Sequence, residues 1–310
     1  MTLKSNLPDS QLSTEKQNPN SKNLDQLNIW KILNTINEED QKIAGVVKQA
    51  IPEIEKVVNL TISALKNGNR IYYVGAGTSG RLGILDAAEI PPTFSAPSDW
   101  FQGIIAGGHE AVFRSIEGAE DKTENVSIDL KNAGIARGDV LIGIASSSTT
   151  PYVTTALEIA HSEGLKTAFI ICNPIMKINK NIDVAIELVT GSEVLTGSTR
   201  MKAGTATKMV LNMISTATMV KMGKVYGNLM VDLKVVNEKL LRRGIRIVTQ
   251  LTRIDNKSAE KLLKNAGNSV KTAVVMHNKK FDRNEAEKIL KENNGKLRAV
   301  VDDIFVELKE

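Results

Sequence analysis

The sequence predicts an α/β protein built on a doubly wound, mainly parallel sheet of five strands. Five short apolar runs carry this prediction, and helix-like segments separate all but the last two: residues 71–74, 101–106, 140–145, 167–172 and 184–189. Runs that are apolar on both faces are typical of parallel strands covered by helices on two sides. A glycine-rich motif, "VGAGTSGRLGILDAAE", follows the first run, as expected where a strand passes into a helix.

Composition narrows the class of protein. The chain has 310 residues, of which 42% are apolar, enough to bury a sizeable core. Its net charge of +5 comes from basic residues interleaved with acidic ones, and only 4% of residues are aromatic, so we expect no nucleic-acid partner. Without a signal peptide or an apolar run of roughly 18 residues, we expect a cytoplasmic protein with no membrane partner. The single cysteine, Cys172, lies in a predicted buried strand and is expected to be inert.

The chain is predicted to have three parts. Residues 1–26 form a polar leader that we expect to be poorly ordered. Residues 27–235 form the sheet domain with its N-terminal helices, the first of which is a long helix from an N-cap at Asn37 to about Lys66. Residues 236–310 form a small helical module.

The helical module contains a weak duplication. "AEKLLKNAGNSVKTAV" at residue 259 returns as "AEKILKENNGKLRAVV" at residue 286. Two copies indicate a small module rather than a solenoid. A packing role and a binding role both stay open for it.

The glycine motif poses a question about the ligand. Its G-x-G-x-x-G spacing is typical of dinucleotide sites, but the second predicted strand ends in "GGH" where a carboxylate for the ribose is expected. The third strand runs into five hydroxyl residues, 146–150, and then Pro151, which is typical of a first helical turn.

Both loops open helices, whose free N–H groups and partial positive charge bind anions. They follow neighbouring strands at the edge of the sheet where ligands bind, which favours a compact phosphorylated sugar over a dinucleotide. Simple helix capping by the hydroxyls is the alternative. The candidate binding residues are Gly77, Thr78, Ser79, Ser146, Ser147, Ser148 and Thr149.

A third segment, "GSEVLTGSTRMKAGTATK" at residues 191–208, concentrates hydroxyl and charged side chains among glycines. Such density is costly in a core and useful for a polyhydroxyl, anionic ligand. We expect Glu193, Ser198 and Lys202 to contact the ligand.

Three segments resemble the N-acetylmuramic acid 6-phosphate etherases, single sugar-isomerase (SIS) domain enzymes of cell-wall amino-sugar recycling: "GAGTSGRLGILDAAE", "AGGHEAVFRSIEGAED" and "GSEVLTGSTRMKAGTATK". The resemblance extends from about Thr14 through the duplicated tail, and the third segment is shared with the glucokinase regulatory protein. At Ser192 the family prefers Pro or Ala; this departure loosens a turn and removes no chemical group.

The resemblance implies a lyase that eliminates D-lactate from the C3 ether of the sugar and then adds water. In the open-chain aldehyde the C2 proton is acidified and the ether lies beta to the carbonyl, so a base and an acid suffice, with no cofactor. The resemblance assigns Glu89 as the proton donor and Glu120 as the base. From the residues alone, Glu117, Glu120 and Glu124 stay equivalent candidates for the base.

A proton donor must hold its proton at neutral pH, whereas an ordinary glutamate has a pKa of about 4.3. We expect Leu85, Ala88 and Ile90 to desolvate Glu89 and raise its pKa.

Helix geometry adds a prediction about assembly. A helix from Ser79 that stops at the Pro91–Pro92 pair places Glu89 about 15 Å from the helix start, farther than a sugar phosphate reaches. We therefore expect a homodimer whose active site is shared between subunits.

Two other functions stay open: a sugar-phosphate regulator without activity, and an aldose–ketose isomerase. Regulatory relatives carry two SIS domains and this chain has one set of loops, while an isomerase needs no acid for an ether leaving group. The sequence "HEAVF" at residue 109 lacks the second histidine of H-E-x-x-H, so we expect no metal.

Overall fold

The computed structural model describes residues 12–174, 182–233, 235 and 237–301. The chain divides into two compact units. The first comprises Met1–Ala88 and Asp99–Ser215, and the second comprises Glu89–Ser98 and Thr216–Glu310.

A five-stranded parallel sheet forms the centre of the first unit, with strand order β2-β1-β3-β4-β5. Its strands are β1 (Ile71–Gly75), β2 (Phe101–Ile105), β3 (Val140–Ile144), β4 (Lys166–Ile171) and β5 (Val184–Glu187). Every residue of β1 and β3 is buried, which explains why these strands read as continuous apolar runs. The predicted fold class and all five predicted strands are confirmed.

Helices cover both faces of this sheet. The first unit contains α1 (Ile29–Asp40), α2 (Ile43–Gln49), α3 (Ile51–Lys66), α5 (Glu110–Phe113), α6 (Val126–Ala133) and α7 (Pro151–Ser162); α4 (Gly77–Phe94) and α8 (Lys202–Lys221) contribute residues to both units. On one face, Tyr72 and Leu141 pack with residues of α6 and α7. On the other, Gly83 of α4 comes so close to Tyr73 and Ile144 that a Cβ there would meet both side chains.

The predicted long helix from Asn37 to Lys66 is instead three helices. Asn37 lies inside α1, whose N-cap is Asn28; the Asn28 side chain accepts a hydrogen bond from the Lys31 amide at 2.9 Å. Pro52 stands in the first turn of α3, where its missing N–H costs nothing, whereas inside a longer helix its ring would clash with the preceding turn. The prediction is therefore wrong about the start and the continuity of the helix and right about its end.

Helix α4 also differs from the prediction, because it continues through Pro91 and Pro92 to Phe94. An internal proline costs a helix about 3 kcal/mol. Ile90 and Phe94, on either side of the pair, are only 3% and 7% exposed, and their burial stabilises the last turn. Tertiary packing therefore outweighs the local proline signal.

The leader is described from residue 12 onward, and residues 12–26 are packed within the first unit. Thr14, Asn18 and Ser21 are buried. Asn18 donates its amide to the carbonyl of Ser192 at 3.1 Å, and Ser21 donates its hydroxyl to the carbonyl of Val194 at 2.7 Å. The expectation of a poorly ordered leader is wrong for residues 12–26, because their polar side chains bond to a distant loop; residues 1–11 lie outside the described chain.

Besides the ends of α4 and α8, the second unit contains the helices α9 (Glu238–Thr252), α10 (Asn256–Asn265), α11 (Val270–Lys279) and α12 (Arg283–Glu292), and a short hairpin of β6 (Val225–Tyr226) and β7 (Leu229–Met230). The first duplicated segment runs from α10 into α11, and the second runs from α12 through the short helical turn Leu297–Ala299. Ala259 and Leu263 of α10 occupy the same positions as Ala286 and Leu290 of α12, and all four belong to one apolar core. The repeat thus preserves the buried positions of a single helix pattern.

Within the described chain, no helix combines the length and the apolar character needed to cross a membrane.

Candidate functional site

The strand order creates a crevice between β1 and β3. From β1 the chain passes through α4 to β2, and from β3 it passes through α7 to β4, so the two connections leave neighbouring strands in opposite directions. Ligands of open α/β sheets bind at such a switch point, outside the carboxyl ends of the strands. The two predicted loops, residues 75–80 (the glycine loop) and residues 146–150 (the serine loop), follow β1 and β3 at this point.

Each of the three glycines in the glycine loop occupies a position that a larger residue would not tolerate, for a different reason in each case. A Cβ on Gly75 would lie 2.6 Å from the amide nitrogen of Gly80, and a Cβ on Gly80 would lie 2.6 Å from Cγ1 of Ile105. Gly77 has a φ of +52°, which favours glycine. This geometry brings the end of β1 against the first turn of α4, where the amides of Thr78 and Ser79 have no partner within the helix. Such amides bind phosphate oxygens.

The residues of the serine loop are all half-buried. The hydroxyls of Ser147 and Thr149 lie 2.9 Å apart and share a hydrogen bond, and the Thr149 amide donates to Ser147 Oγ at 3.4 Å. Thr150 is the N-cap residue of α7, yet its side chain makes no capping hydrogen bond. The alternative was that these hydroxyls only cap α7. The side chain of the N-cap residue, Thr150, gives it no support, because it makes no such bond.

Glu193, which the sequence predicts to contact the ligand, is completely buried. Its carboxylate accepts hydrogen bonds from the amides of Lys202 at 3.0 Å and Ala203 at 2.9 Å, which are the first amides of α8. Burial raises the pKa of Glu193, and the two amide donors oppose that rise. The prediction of direct ligand contact is corrected: the start of α8 binds an internal carboxylate instead of an external anion.

Lys202, a second predicted ligand contact, is also buried, with 2% of its surface exposed. Its ammonium lies 2.7 Å from Oε2 of Glu39 on α1, which is itself 3% exposed. Burial alone would raise the pKa of Glu39, but hydrogen bonds from Lys202, Lys42 and Asn20 outweigh it and lower that pKa to about 2. The prediction for Lys202 is corrected in the same way, because its charge is already paired inside the protein.

Several predicted segments do meet at one edge of the sheet. A Cβ on Gly204, in the first turn of α8, would lie 3.6 Å from Cγ2 of Thr78, so the starts of α8 and α4 are adjacent. The Ser146 carbonyl accepts the amide of Cys172, and the Cys172 thiol lies 3.6 Å from the carbonyl of Ala203. The glycine loop, the serine loop and the start of α8 therefore share one neighbourhood.

Two further sequence predictions lie in or beside this neighbourhood. Ser198 is half-buried in the turn before α8, where its amide donates to the carbonyl of Leu195 at 2.9 Å. Burial raises the pKa of Cys172 to about 12, so its thiol is inert as predicted.

Glu120 is exposed on a short helical turn, Ala119–Asp121. This turn packs against α7 and against the end of β2, where a Cβ on Gly107 would lie 3.2 Å from that of Ala119. Glu120 thus lies toward the carboxyl edge of the sheet. Glu117 and Glu124 are exposed on the same segment, so the alternatives left open by the sequence stay open in the geometry.

Glu89 lies on α4 and belongs to the second compact unit. It is exposed, and so are Ala88 and Leu85, the latter by 51%. Of the three residues expected to desolvate Glu89, only Ile90 is buried. The predicted desolvation is therefore wrong for the single chain.

Sequence reasoning missed two buried polar residues, Asp86 on α4 and Asn173 after β4. Asp86 on α4 accepts hydrogen bonds from the hydroxyls of Tyr73 and Ser215, each at 3.0 Å, and burial raises its pKa. Asn173 follows β4 and bonds to the carbonyl of Ser146. A polar residue directly after a buried strand was the available signal for Asn173. Among the described residues, no three His, Cys, Asp or Glu side chains come together as a metal site requires.

The fold and the site define a class: a doubly wound α/β protein with two helix-opening loops at its switch point. Curated relatives named N-acetylmuramic acid 6-phosphate etherase match nearly the whole chain. The relative from Klebsiella aerogenes is 47% identical over 93% of this chain and 96% of its own length, and the one from Clostridium botulinum strain Hall is 47% identical over 96% and 99%. The chain belongs to the N-acetylmuramic acid 6-phosphate etherase family.

Other comparisons concern parts of the chain. The family described as the glucokinase regulatory protein N-terminal SIS domain matches residues 53–161, and the C-terminal lid domain of that protein matches residues 227–271. A solved phosphoheptose isomerase from Neisseria gonorrhoeae is 15% identical, covers 62% of this chain and 99% of its own, and has a TM-score of 0.46. A likeness at that score supports no statement about this chain.

Proposed function

We propose that this protein is a lyase that cleaves the D-lactyl ether of N-acetylmuramic acid 6-phosphate, giving N-acetylglucosamine 6-phosphate and D-lactate in cell-wall amino-sugar recycling. The observation that carries the proposal is the switch-point crevice between the glycine and serine loops, in a chain 47% identical along nearly all its length to curated etherases. The sequence predicts the cytoplasm as its location.

The phosphate would bind at the first turns of α4 and α7. The start of α8 is closed to it by the Glu193 carboxylate, and Lys202 is paired with Glu39. The phosphate charge would therefore meet main-chain amides and hydroxyls: those of Thr78 and Ser79 on one side and of the serine loop on the other. Such neutral donors bind a dianion without a buried lysine.

Two carboxyl groups would perform the elimination. Glu120 removes the proton from C2, the C2–C3 double bond forms as the C3–O bond breaks, and Glu89 protonates the departing lactate oxygen. Water then adds at C3 and a proton returns to C2, which restores the sugar. The reaction is redox-neutral, so it calls for no cofactor.

We propose that the protein acts as a homodimer in which each crevice receives Glu89 from the second subunit. Glu89 lies twelve residues after Gly77 on one continuous helix, which is about 18 Å along its axis. The exposed side chains of Leu85 and Ala88 beside it offer a surface that a second copy would cover. A second copy packed on this surface would remove Glu89 from water, and such burial favours the protonated carboxyl that a general acid needs.

D-lactate release from N-acetylmuramic acid 6-phosphate tests the activity. The Glu89→Gln and Glu120→Gln variants should each be inactive, whereas Glu117→Gln and Glu124→Gln should retain activity. Wild-type protein that releases no lactate would refute the lyase proposal.

Mixing the two inactive variants tests the shared site. After random subunit exchange, a heterodimer of Glu89→Gln and Glu120→Gln has one crevice with both glutamates, so about one quarter of wild-type activity should return. If the mixture stays inactive although heterodimers form, each subunit uses its own pair.

A sugar-phosphate regulator without activity is the second candidate, favoured by the matches to the glucokinase regulatory protein. A regulator binds the sugar phosphate and releases no lactate, and an isomerase forms a ketose phosphate without lactate. One incubation therefore separates all three functions.

A further inference from the structure

Asn173 connects the leader to the serine loop. It follows β4 at the carboxyl edge of the sheet and is 1% exposed. Its amide nitrogen donates to the carbonyl of Ser146 at 2.8 Å and to the hydroxyl of Thr14 at 3.1 Å. Its oxygen accepts from the amide of Ser13 at 2.8 Å and from the hydroxyl of Ser13 at 2.7 Å. Both donors and both acceptor sites of this carboxamide are thus engaged.

The same leader segment reaches the turn that precedes α8. The carbonyl of Thr14 accepts the amide of Gly197 at 3.1 Å. A Cβ on Gly197 would lie 2.9 Å from a carboxylate oxygen of Glu15, so the leader backbone and side chain both lie against this turn. Thr14 itself is 1% exposed. The leader is therefore built into the edge of the crevice.

The serine loop depends on these contacts for its position. The carbonyl of Ser146 accepts hydrogen bonds from the amide of Cys172 and the side chain of Asn173. The next hydroxyls bond to each other, Ser147 to Thr149, rather than to the surrounding strands. A shift of the Asn173 carboxamide would therefore move the first residue of the loop.

We propose that Ser13, Thr14 and Asn173 are positioning residues through which the leader holds the serine loop in place for a sugar phosphate. The identity of this ligand rests on the proposed function. The leader thereby tunes affinity for the phosphorylated substrate, although it lies more than a hundred residues from the loop in sequence: Asn173 and Ser13 are separated by 160 positions.

Three variants test the proposal through the split between KM and kcat. Thr14→Val keeps the side-chain shape and removes the hydroxyl, and Asn173→Asp replaces the donor that faces Ser146 with an oxygen. In both, KM for N-acetylmuramic acid 6-phosphate should rise about 10- to 100-fold, the effect of weakening one or two hydrogen bonds to a charged group. The value of kcat should stay within about threefold, because the loop binds phosphate equally in the ground and transition states. Thr14→Ser should restore the wild-type KM.

Asp139→Asn is the matched control. Asp139 is equally buried and accepts hydrogen bonds from the amides of Arg70 and Ala136, but it precedes β3 at the opposite edge of the sheet. It should lower stability without changing KM. If KM rises as much in Asp139→Asn as in Thr14→Val, or if Thr14→Ser fails to restore it, the leader has only a structural role and the proposal fails.

Two measurements keep this test separate from the lyase proposal. If wild-type protein releases no lactate, the dissociation constant for N-acetylglucosamine 6-phosphate replaces KM in the same comparison. Amide hydrogen exchange of residues 146–150 requires no ligand: it should accelerate in Thr14→Val and Asn173→Asp and stay unchanged in Asp139→Asn. Exchange in this loop that is indifferent to Thr14 and Asn173 would overturn the proposal.

Discussion

The buried ion pair between Glu39 and Lys202 predicts that the folded protein loses stability as the pH falls. The pKa of Glu39 is lowered from 4.5 to about 2 in the folded protein. A difference of this size corresponds to about 3 kcal/mol of folding free energy. Because the folded-state pKa is the lower one, this stabilisation is complete above about pH 5 and is lost progressively as the pH falls toward 2. Urea unfolding between pH 7 and pH 3 measures the loss.

Substitutions separate the pair from the background of other carboxylates. Glu39→Gln leaves the Lys202 ammonium buried without its counter-charge, and we expect a loss of about 3 to 5 kcal/mol at pH 7. The double variant, Glu39→Gln with Lys202→Met, should recover most of that loss, because replacing both charges removes the unpaired one. Both variants should also show a weaker dependence of stability on pH than wild type.

An exposed pair provides the control. Glu53 and Lys56 on α3 lie 3.6 Å apart, with side chains that are 38% and 64% exposed, so Glu53→Gln should change stability by less than about 0.5 kcal/mol. The reasoning is refuted if Glu39→Gln costs no more than Glu53→Gln, or if the double variant is no more stable than the single one.

Three further predictions concern buried contacts within the first unit. Glu193→Ala removes the carboxylate that caps α8 and should lower the free energy of unfolding by about 1 to 2 kcal/mol, measured in urea; an unchanged midpoint would argue against the cap. Burial raises the pKa of Asp86, so its charged form destabilises the fold as the pH rises. Asp86→Asn should therefore have a higher Tm than wild type at pH 8 and a similar Tm near pH 4, and a constant difference would contradict this. Gly80→Ala places a Cβ 2.6 Å from Ile105 and should cost about 1 to 3 kcal/mol, whereas Gly45→Ala, at a position with open space, should not.

The sheet could be predicted from the sequence because its strands are apolar on both faces. The strands β1 and β3 are buried at every position, and such runs need no information about distant residues. The glycine loop was predictable for a related reason: Gly75 and Gly80 are close in sequence and contact each other directly.

The partners of charged residues could not be predicted in the same way. Lys202 stands among glycines and hydroxyls, which indicates a ligand site, but its partner Glu39 lies 163 positions away on α1. The local sequence pattern is the same for a lysine that binds a phosphate ligand and for one that forms an ion pair with a distant carboxylate inside the protein. The polar leader was misjudged for the same reason, since Asn18 and Ser21 bond to backbone carbonyls about 170 positions later.

The matching helices α10 and α12 share buried positions in the three-dimensional structure as well as a sequence pattern. Ala259 and Ala286, and likewise Leu263 and Leu290, fill equivalent buried positions. The exposed Lys261 and Lys264 also recur as Lys288 and Lys291, but the ion pairs differ: Glu260 pairs with Lys264 on one helix and Glu287 with Arg283 on the other. A duplicated ancestral segment would leave this record, with interior positions and several surface charges retained while the ion pairs changed partners. Either helix should therefore accept the other's surface residues by transplantation, which makes this pair a natural place to engineer new recognition without disturbing the fold.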